Sequence, residues 1–210
     1  MNPNDIRLVL MLKAPKPGTV KTRLAKDLGN ERAAEIYRIL VKHQVSELPP
    51  EFPAEIHFAP ADAEPDLRDW LGERFAYRAQ CEGDLGERLV HSAKHVFENP
   101  ATGLIFLGGD CPHITAALLR ECIEQLQNHD VVLGPACDGG YYLIAIRKDR
   151  PHLFHGIDWG SERVLEQTLL RIHEGGLLHF LLPELEDVDD LGSWERAQSV
   201  VRAGTPGFRG

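Results

Sequence analysis

Short apolar runs alternate with segments of helical periodicity along most of this chain. Such runs are typical of strands that are buried on both faces of a sheet. They occupy residues 6–12, 56–59, 104–107, 131–133, 141–146 and 178–182. Apolar positions spaced three and four apart predict helices, and these begin at Asn30 and cover 66–71, 85–97, 118–126 and 164–172, with a last short helix near Trp194. The alternation predicts a three-layer α/β/α fold with a mostly parallel sheet between helices.

The junctions between these elements refine the prediction. The run at 141–146 follows 131–133 too closely for a helical crossover, so we expect an antiparallel strand and a mixed sheet. Thr115 and Ser161 precede helical segments and are predicted to be N-caps, because their hydroxyl oxygens can accept hydrogen bonds from the first backbone N–H groups.

Composition narrows the class of protein. A chain of 210 residues, 43% hydrophobic and 26% charged, is expected to form one domain over residues 1–200, with a flexible tail over 201–210. The net charge of −9 argues against a nucleic-acid partner, since phosphate backbones are bound by basic surfaces. The apolar run at 8–12 is too short to span a membrane and lacks the flanks of a signal peptide. We therefore expect a cytoplasmic protein without a membrane partner.

The cysteines and a histidine pair do not predict a metal or redox centre. The four cysteines lie far apart and are expected to be reduced, mostly buried thiols: Cys81, Cys111, Cys122 and Cys137. His91 and His95 have helical i, i+4 spacing but no third ligand, so a zinc site is not predicted.

The loop of residues 13–24 is the first candidate site. It follows the first predicted strand and combines cationic side chains with a Pro-x-Pro-Gly turn, which suits the phosphates of a nucleotide. It matches neither a Walker A loop nor a Rossmann fingerprint, and a solvated basic turn remains the alternative. Lys21 and Arg23 are the candidate catalytic cations, because they can neutralise charge that develops on phosphate. The loop residues expected to contact nucleotide are Lys13, Pro15, Gly18, Lys21, Thr22 and Arg23.

Two acidic segments also follow predicted strands. Asp110 comes directly after the strand at 104–107 and two glycines, where its carboxylate can hold Mg²⁺ or Mn²⁺. Asp187 and Asp189, two residues apart, point the same way in an extended chain and can complete the metal shell. A turn aspartate and a solvated acidic run are the alternatives. Ligands of open α/β sheets collect at the carboxyl ends of the strands, so we expect the loop and both acidic segments to converge at one sheet edge.

Two glycine-containing turns complete the candidate site. Gly83 and Asp84 open a predicted helix and can form a wall for a base or sugar, although an N-cap role is the simpler account of Asp84. Asp138 can orient or deprotonate an acceptor, but Asp-Gly is also a strong hairpin-turn signal. The remaining residues expected to contact substrate are Gly109, Gly139, Gly140 and Tyr141.

Taken in order, the motifs of this chain resemble those of the DUF2064 family, also called radical-SAM/selenodomain-associated transferase 1, within the GT-A-like nucleotide-diphospho-sugar transferases. The resemblance covers about residues 6–198. The motifs that carry it are Lys13-x-Pro-x-Pro-Gly-x-Val-Lys-Thr-Arg-Leu24, Gln80-x-x-Gly-Asp-Leu-Gly-Glu-Arg-Leu89, Gly108-Gly-Asp-Cys-Pro112, Gly134-Pro-x-x-Asp-Gly-Gly-Tyr-Tyr-Leu143, Trp159 and Asp187-Val-Asp189.

The resemblance implies a seven-stranded, mostly parallel sheet with one antiparallel strand. It also implies a divalent metal on Asp110 and nucleotide phosphates on the loop of residues 13–24. Many relatives read D-x-D-T-P-E-D-L near the C-terminus, whereas this chain reads Asp187-Val-Asp-Asp-Leu-Gly-Ser-Trp194, so only the first two carboxylates carry over.

Three functions are compatible with these features. The first is metal-dependent glycosyl transfer from a nucleotide sugar to a small-molecule acceptor, in which Asp110, Lys21 and Arg23 stabilise the departing diphosphate and Asp138 acts on the acceptor. The second is nucleotidyl transfer, in which an acceptor phosphate attacks an NTP and releases pyrophosphate. The third is a non-catalytic nucleotide-binding protein. Neither the nucleobase nor the oligomeric state follows from the sequence.

Overall fold

Seven strands form one mixed sheet in the computed structural model, which describes residues 5–201 and the backbone of 202–204. In chain order they are β1 (Ile6–Lys13), β2 (Ala54–Ala59), β3 (Ala76–Ala79), β4 (Gly103–Leu107), β5 (Val131–Pro135), β6 (Tyr141–Ile146) and β7 (His179–Leu181). Their order across the sheet is β3-β2-β1-β4-β6-β5-β7. β6 is antiparallel to both of its neighbours and the other pairings are parallel, which confirms the predicted mixed, mostly parallel sheet.

Helices cover the two faces of this sheet. They are α1 (Ala25–Leu28), α2 (Asn30–Glu47), α3 (Glu64–Leu71), α4 (Leu85–Phe97), α5 (Ala116–Leu126), α6 (Val164–Glu174) and α7 (Leu191–Gly204). Short 3₁₀ turns occupy Ala61–Ala63 and Pro151–Phe154. None of the helices in the described part of the chain has the length and apolar character needed to cross a bilayer.

The core follows from the alternation of side chains along the strands. In β1, Leu8, Leu10 and Leu12 pack with α2, α3 and α5 on one face, while Val9 packs with α4 and α6 on the other. A third apolar cluster, which includes Leu40 and Trp194, joins the outer side of α2 to α7. The three-layer α/β/α arrangement predicted from the sequence is therefore observed.

The C-terminal boundary differs from the prediction. Helix α7 continues through Gly204, and Val201 is buried in the cluster between α2 and α7. The tail predicted for 201–210 therefore does not begin at 201, because the apolar face of α7 extends to that residue. Residues 205–210 lie outside the described residues.

The predicted caps have different outcomes. The Thr115 hydroxyl accepts a hydrogen bond from the Leu118 N–H at 3.2 Å, so Thr115 is the N-cap of α5. The prediction for Ser161 was wrong: α6 begins later, with Arg163 in the N-cap position, and the Ser161 hydroxyl accepts from the Arg163 N–H instead. Asp84 forms a reciprocal capping box with Glu87 at the start of α4, which confirms the N-cap account of this residue.

The cysteines are all free thiols. Cys111 and Cys122 are buried, Cys81 is half-buried and Cys137 is exposed, so only two fit the expectation of buried thiols. Burial raises the pKa of the Cys111 thiol, with a further contribution from the negative charge of Asp187. A thiol held protonated in this way is a packing group and not a nucleophile.

The β5–β6 turn is tied to the segment that precedes α6. The Leu165 N–H donates to the Gly139 carbonyl at 2.9 Å. Gly139 has a φ of 86°, and a Cβ built there would overlap the carbonyl oxygen of Glu162. Gly160 has a similar φ of 84°, but a Cβ there would meet nothing within 4 Å.

These two glycines provide a matched test of the packing. Gly160→Ala is expected to cost about 1–2 kcal/mol of unfolding free energy, because a side chain is strained at positive φ. Gly139→Ala should cost a further ~1–3 kcal/mol, because the methyl group also collides with the backbone of Glu162. Urea unfolding of both variants measures the difference. Equal losses would show that the turn is not packed against this segment.

Candidate functional site

The candidate site lies at the carboxyl edge of the sheet. The loop of residues 13–24 leaves the end of β1, Asp110 follows β4, and the β5–β6 turn carries Asp138. After β7, a parallel bridge between Ala136 and Leu185 carries the chain towards Asp187 and Asp189. The predicted convergence of the basic loop and both acidic segments is therefore observed, and the β5–β6 turn joins them.

Lys21 lies at the centre of this edge. Its Nζ donates to Asp110 Oδ2 at 2.7 Å and to Asp189 Oδ1 at 3.2 Å. Only 5% of the Lys21 side chain is exposed. Burial alone would lower the pKa of this ammonium, but the charges and hydrogen bonds of the two carboxylates outweigh it and raise the pKa. Lys21 therefore carries a fixed positive charge between two loops.

The backbone of Lys21 is also unusual. Its φ of 47° lies in the left-handed region, where glycine is at ease and a side chain costs about 1–2 kcal/mol. The two ion pairs of the ammonium hold the residue in this conformation. Observed strain of this kind clusters at functional sites, which supports the selection of Lys21 as a site residue.

Arg23 extends the network into solvent. Its Nη1 donates to Asp189 Oδ2 at 3.2 Å, and 67% of its side chain is exposed. Such an exposed pair stabilises the fold by no more than about 1 kcal/mol. The guanidinium therefore remains available to a ligand at little cost.

Asp187 and Asp189 do not share one role. Asp189 pairs with Lys21 and Arg23, whereas Asp187 turns towards Cys111, and its Oδ1 is buried without a hydrogen-bond partner. Burial, followed by the charge of Asp110, raises the pKa of Asp187 well above its usual range; Lys21 acts in the opposite direction. Neighbouring carboxyl groups of this kind retain a proton or bind a cation, because two buried negative charges side by side need compensation.

The three-carboxylate metal site predicted from the sequence is not preformed. Within the described residues, no group of three or more His, Cys, Asp or Glu side chains is arranged to hold a metal ion. The reason is the ammonium of Lys21, which lies between Asp110 and Asp189 and neutralises part of their charge. Asp110 and Asp187 lie close enough for the charge of Asp110 to raise the pKa of Asp187.

Buried polar side chains of helix α2 support the start of the loop of residues 13–24 and the turn after β4. The Tyr37 hydroxyl accepts from the Lys13 N–H at 3.2 Å, and Gln44 Nε2 donates to the Gly108 carbonyl at 2.7 Å. His43 Nε2 lies 2.9 Å from the Pro112 carbonyl oxygen. None of these three side chains was selected from the sequence as a site residue. Their role depends on which loop backbone each side chain contacts, and the sequence carries no signal for these tertiary contacts.

Two neighbouring cavities open at this edge. The first, the cationic cavity, has a volume of about 430 Å³ and includes Lys13, Lys21, Thr22, Gly109 and Asp110 in its wall. The second, the aromatic cavity, has a volume of about 460 Å³; its wall contains Gly140, Tyr141, Trp159, Glu162 and Asp187, among others. Arg23, Asp138 and Gly160 line both.

Some of the predicted binding residues lie outside the walls of these cavities: Pro15, Gly18, Gly83, Asp84 and Gly139. They shape the surrounding loops instead. Asp138 makes the turn contact considered for it, because its Oδ1 accepts from the Gly140 N–H at 2.9 Å, and the residue borders both cavities. Gly109 lines the cationic cavity and packs closely on Leu12 and Val41, where a Cβ would have no room.

The segment 159–162 was missed as a site element. The sequence identifies Trp159 only as part of a family motif and Ser161 only as a candidate N-cap, and Gly160 and Glu162 carry no recognisable signal. These residues reach the site because the segment 159–162 leads into α6. The start of α6 is hydrogen-bonded to the β5–β6 turn, from the Leu165 N–H to the Gly139 carbonyl. Only tertiary structure brings them there.

Comparison with solved structures identifies a similar protein. A candidate nucleotide-diphospho-sugar transferase from Desulfovibrio desulfuricans G20 is 32% identical, with 95% of each chain covered and a TM-score of 0.86. The inositol-1-phosphate CTP transferase from T. maritima matches with a TM-score of 0.61 at 13% identity, covering 97% of this chain and 99% of that one. Rv0371c from Mycobacterium tuberculosis H37Rv, in complex with manganese, matches with a TM-score of 0.58 at 14% identity, covering 93% and 99%. The last two show a shared fold only.

Comparison with curated proteins finds no match. The profile of the family described as "Uncharacterized protein conserved in bacteria (DUF2064)" matches residues 47–161. This range contains the motifs around Asp84, Asp110, Asp138 and Trp159, while the Desulfovibrio structure extends the similarity over nearly the whole chain. The chain therefore belongs to the DUF2064 family of bacterial proteins.

Proposed function

We propose that this protein is a metal-dependent glycosyltransferase that uses a nucleotide sugar. The observation that carries this proposal is the junction of two unlike cavities at Arg23 and Asp138. One cavity concentrates cations that suit a diphosphate, and the other offers aromatic and carboxylate groups that suit an uncharged ring. The similarity to the candidate nucleotide-diphospho-sugar transferase from Desulfovibrio supports a nucleotide sugar as the donor.

The charges at the site leave room for a divalent cation. The cationic cavity and the adjoining Asp187 contain four carboxyl groups, those of Asp110, Asp138, Asp187 and Asp189, against three cations, Lys13, Lys21 and Arg23. A divalent ion would offset this excess of negative charge. Mg²⁺ and Mn²⁺ sites of this kind use one or two protein carboxylates and complete the shell with substrate phosphates and water.

Asp110 and Asp187 are the residues that would hold this ion. Asp110 pairs with Lys21 through Oδ2 alone, whereas both oxygens of Asp189 are engaged by Lys21 and Arg23. When bound, Mg²⁺ or Mn²⁺ supplies Lewis-acid stabilisation of the diphosphate leaving group. Lys21, fixed between Asp110 and Asp189, binds the same phosphates from the protein side. Arg23 can shift from its exposed pair with Asp189 onto a phosphate oxygen, since that pair holds it only weakly.

In this proposal Asp138 acts on the acceptor. Its Oδ1 is oriented by the Gly140 N–H, and the residue borders both cavities. The acceptor hydroxyl oxygen attacks the anomeric carbon of the donor sugar and transfers its proton to the Asp138 carboxylate. The bond from that carbon to the phosphate oxygen breaks, and its electron pair leaves with the nucleoside diphosphate.

The metal proposal predicts a coupled binding of ion and nucleotide. In a thermal-shift screen of nucleoside diphosphates and nucleotide sugars, stabilisation of the wild-type protein should require Mn²⁺ or Mg²⁺. A ligand at a hundred times its Kd would contribute about 2.7 kcal/mol. Asp110→Asn and Asp187→Asn should each remove the metal-dependent part, whereas Asp69→Asn, on the exposed surface of α3, should not.

Metal-independent stabilisation that is unchanged in Asp110→Asn would contradict this proposal and would favour a non-catalytic nucleotide-binding protein. Release of pyrophosphate from an NTP, with no consumption of any nucleotide sugar, would instead identify nucleotidyl transfer.

The phosphate role of the basic loop predicts a selective loss of affinity. Lys21→Ala should reduce the affinity for a nucleoside diphosphate about tenfold or more, because hydrogen bonds to charged groups contribute about 1.5–3 kcal/mol. Arg23→Ala should give a smaller loss, and neither variant should change the affinity for the nucleoside. Lys26→Ala removes the same charge from an exposed position on α1 and serves as the matched control.

Isothermal titration calorimetry with the nucleoside and its diphosphate measures these affinities. The melting temperature of each variant identifies any loss that results from unfolding. An equal loss for nucleoside and diphosphate would exclude a phosphate contact at Lys21.

A further inference from the structure

The aromatic cavity has a composition unlike that of its neighbour. Its apolar wall is formed by Leu85, Tyr141, Trp159 and Val164. A volume of about 460 Å³ lies within the ordinary range for small-molecule sites, about 300–1,000 Å³. The cavity is therefore large enough for a ligand of its own beside the nucleotide.

The aromatic side chains of this cavity are held rigidly. The rings of Tyr141 and Trp159 meet edge to face, with centroids 6.4 Å apart and an interplanar angle of 83°. Trp159 also packs against the start of α4, where Gly86 leaves room for the indole: a Cβ there would lie 2.6 Å from Trp159 Nε1. A fixed aromatic surface at a cavity wall can pack against the C–H face of a ring at small cost in side-chain entropy.

The charges of the aromatic cavity oppose an anionic ligand. Asp138 and Glu162 contribute carboxylates, the Asp187 carboxyl faces the proposed metal, and Arg23 is the one cation among the lining residues. Arg23 already contacts Asp189 and borders the cationic cavity, where diphosphate oxygens would engage it. A phosphate placed in the aromatic cavity would face the carboxylates of Asp138 and Glu162, while Arg23 and the proposed ion are engaged by the diphosphate of the donor, and like charges in a partly enclosed site repel.

The same carboxylates suit hydroxyl groups. An ionised carboxylate accepts hydrogen bonds and donates none, so it pairs with the O–H groups of an uncharged ligand. Asp187 is directed towards the proposed metal and Asp138 towards the reacting hydroxyl, which leaves Glu162 to accept from a further hydroxyl. The cavity therefore combines an apolar surface with hydrogen-bond acceptors.

We propose that the aromatic cavity binds the acceptor of the transfer reaction and that this acceptor is an uncharged, polyhydroxylated ring of monosaccharide size, not a phosphorylated compound. This inference rests on the proposed function and specifies its second substrate. The acceptor provides the hydroxyl oxygen for the new C–O bond, and its proton passes to Asp138 while the nucleoside diphosphate leaves.

Saturation-transfer NMR on the full chain with Mn²⁺ replaced by diamagnetic Mg²⁺, in the presence of a nucleoside diphosphate, tests this inference. The probes are the methyl α-pyranosides of glucose, galactose and mannose, each paired with its 6-phosphate. The neutral member of at least one pair should bind, and its phosphate should bind at least tenfold more weakly. Trp159→Ala should abolish the signal from the neutral probe, whereas Trp159→Phe should retain part of it because an aromatic surface remains.

A charge variant tests whether the carboxylates of the aromatic cavity cause its preference for neutral ligands. Glu162→Gln removes one repelling charge and should reduce the preference for the neutral probe over its phosphate. Glu166→Gln, on the exposed face of α6 and outside the cavity wall, should leave that preference unchanged. Equal or tighter binding of the phosphates, or no binding of any probe, would overturn the inference.

The outcomes also distinguish the inference from the function on which it rests. If neutral glycosides bind at Trp159 but no nucleotide sugar is consumed with any of them, glycosyl transfer fails while the preference of the cavity stands. If a nucleotide sugar is consumed with a phosphorylated acceptor, glycosyl transfer stands and the acceptor class assigned here is wrong.

Discussion

The buried ammonium of Lys21 is the interaction on which the site depends. It joins the loop after β1 to Asp110 after β4 and to Asp189 after β7, so three segments distant in sequence meet at one cation. Desolvation of this charge is costly, and close contact with two carboxylates offsets the cost. The strained backbone of Lys21 is a further cost that the same contacts must overcome. Loss of the ammonium would remove the ion pair of Asp110 and leave Asp189 paired with Arg23 alone.

This arrangement divides the carboxylates of the site between two tasks. Asp189 is neutralised by Lys21 and Arg23 and thereby fixes the cations that face a diphosphate. Asp187, by contrast, has a buried oxygen without a partner and a raised pKa, so its carboxyl favours a proton until a cation replaces it; perturbed groups of this kind cluster at functional sites. The cationic and aromatic cavities follow from this division, because the positive charges lie on one side of Asp138 and the aromatic side chains on the other.

Much of the fold could be predicted because the sheet is buried on both faces and its strands are continuous apolar runs. The convergence of the basic loop, Asp110 and Asp187 also followed from the rule that parallel strands end at one edge. β3 was not predicted, because its residues are half-buried or exposed and no apolar run marks the strand. The contribution of Trp159 and the separate roles of Asp187 and Asp189 could not be predicted, since they depend on tertiary contacts and on where Lys21 is placed.

The most direct test of this account is the position of a metal ion relative to Lys21. Crystals soaked with Mn²⁺ and a nucleoside diphosphate, measured at a wavelength where manganese scatters anomalously, locate the ion without ambiguity. The account predicts an anomalous peak bonded to Asp110 and Asp187, with the diphosphate contacting both the ion and Lys21. A diphosphate bound at the loop with no ion at these two carboxylates, or an ion bonded to Asp189 in place of Lys21, would contradict it.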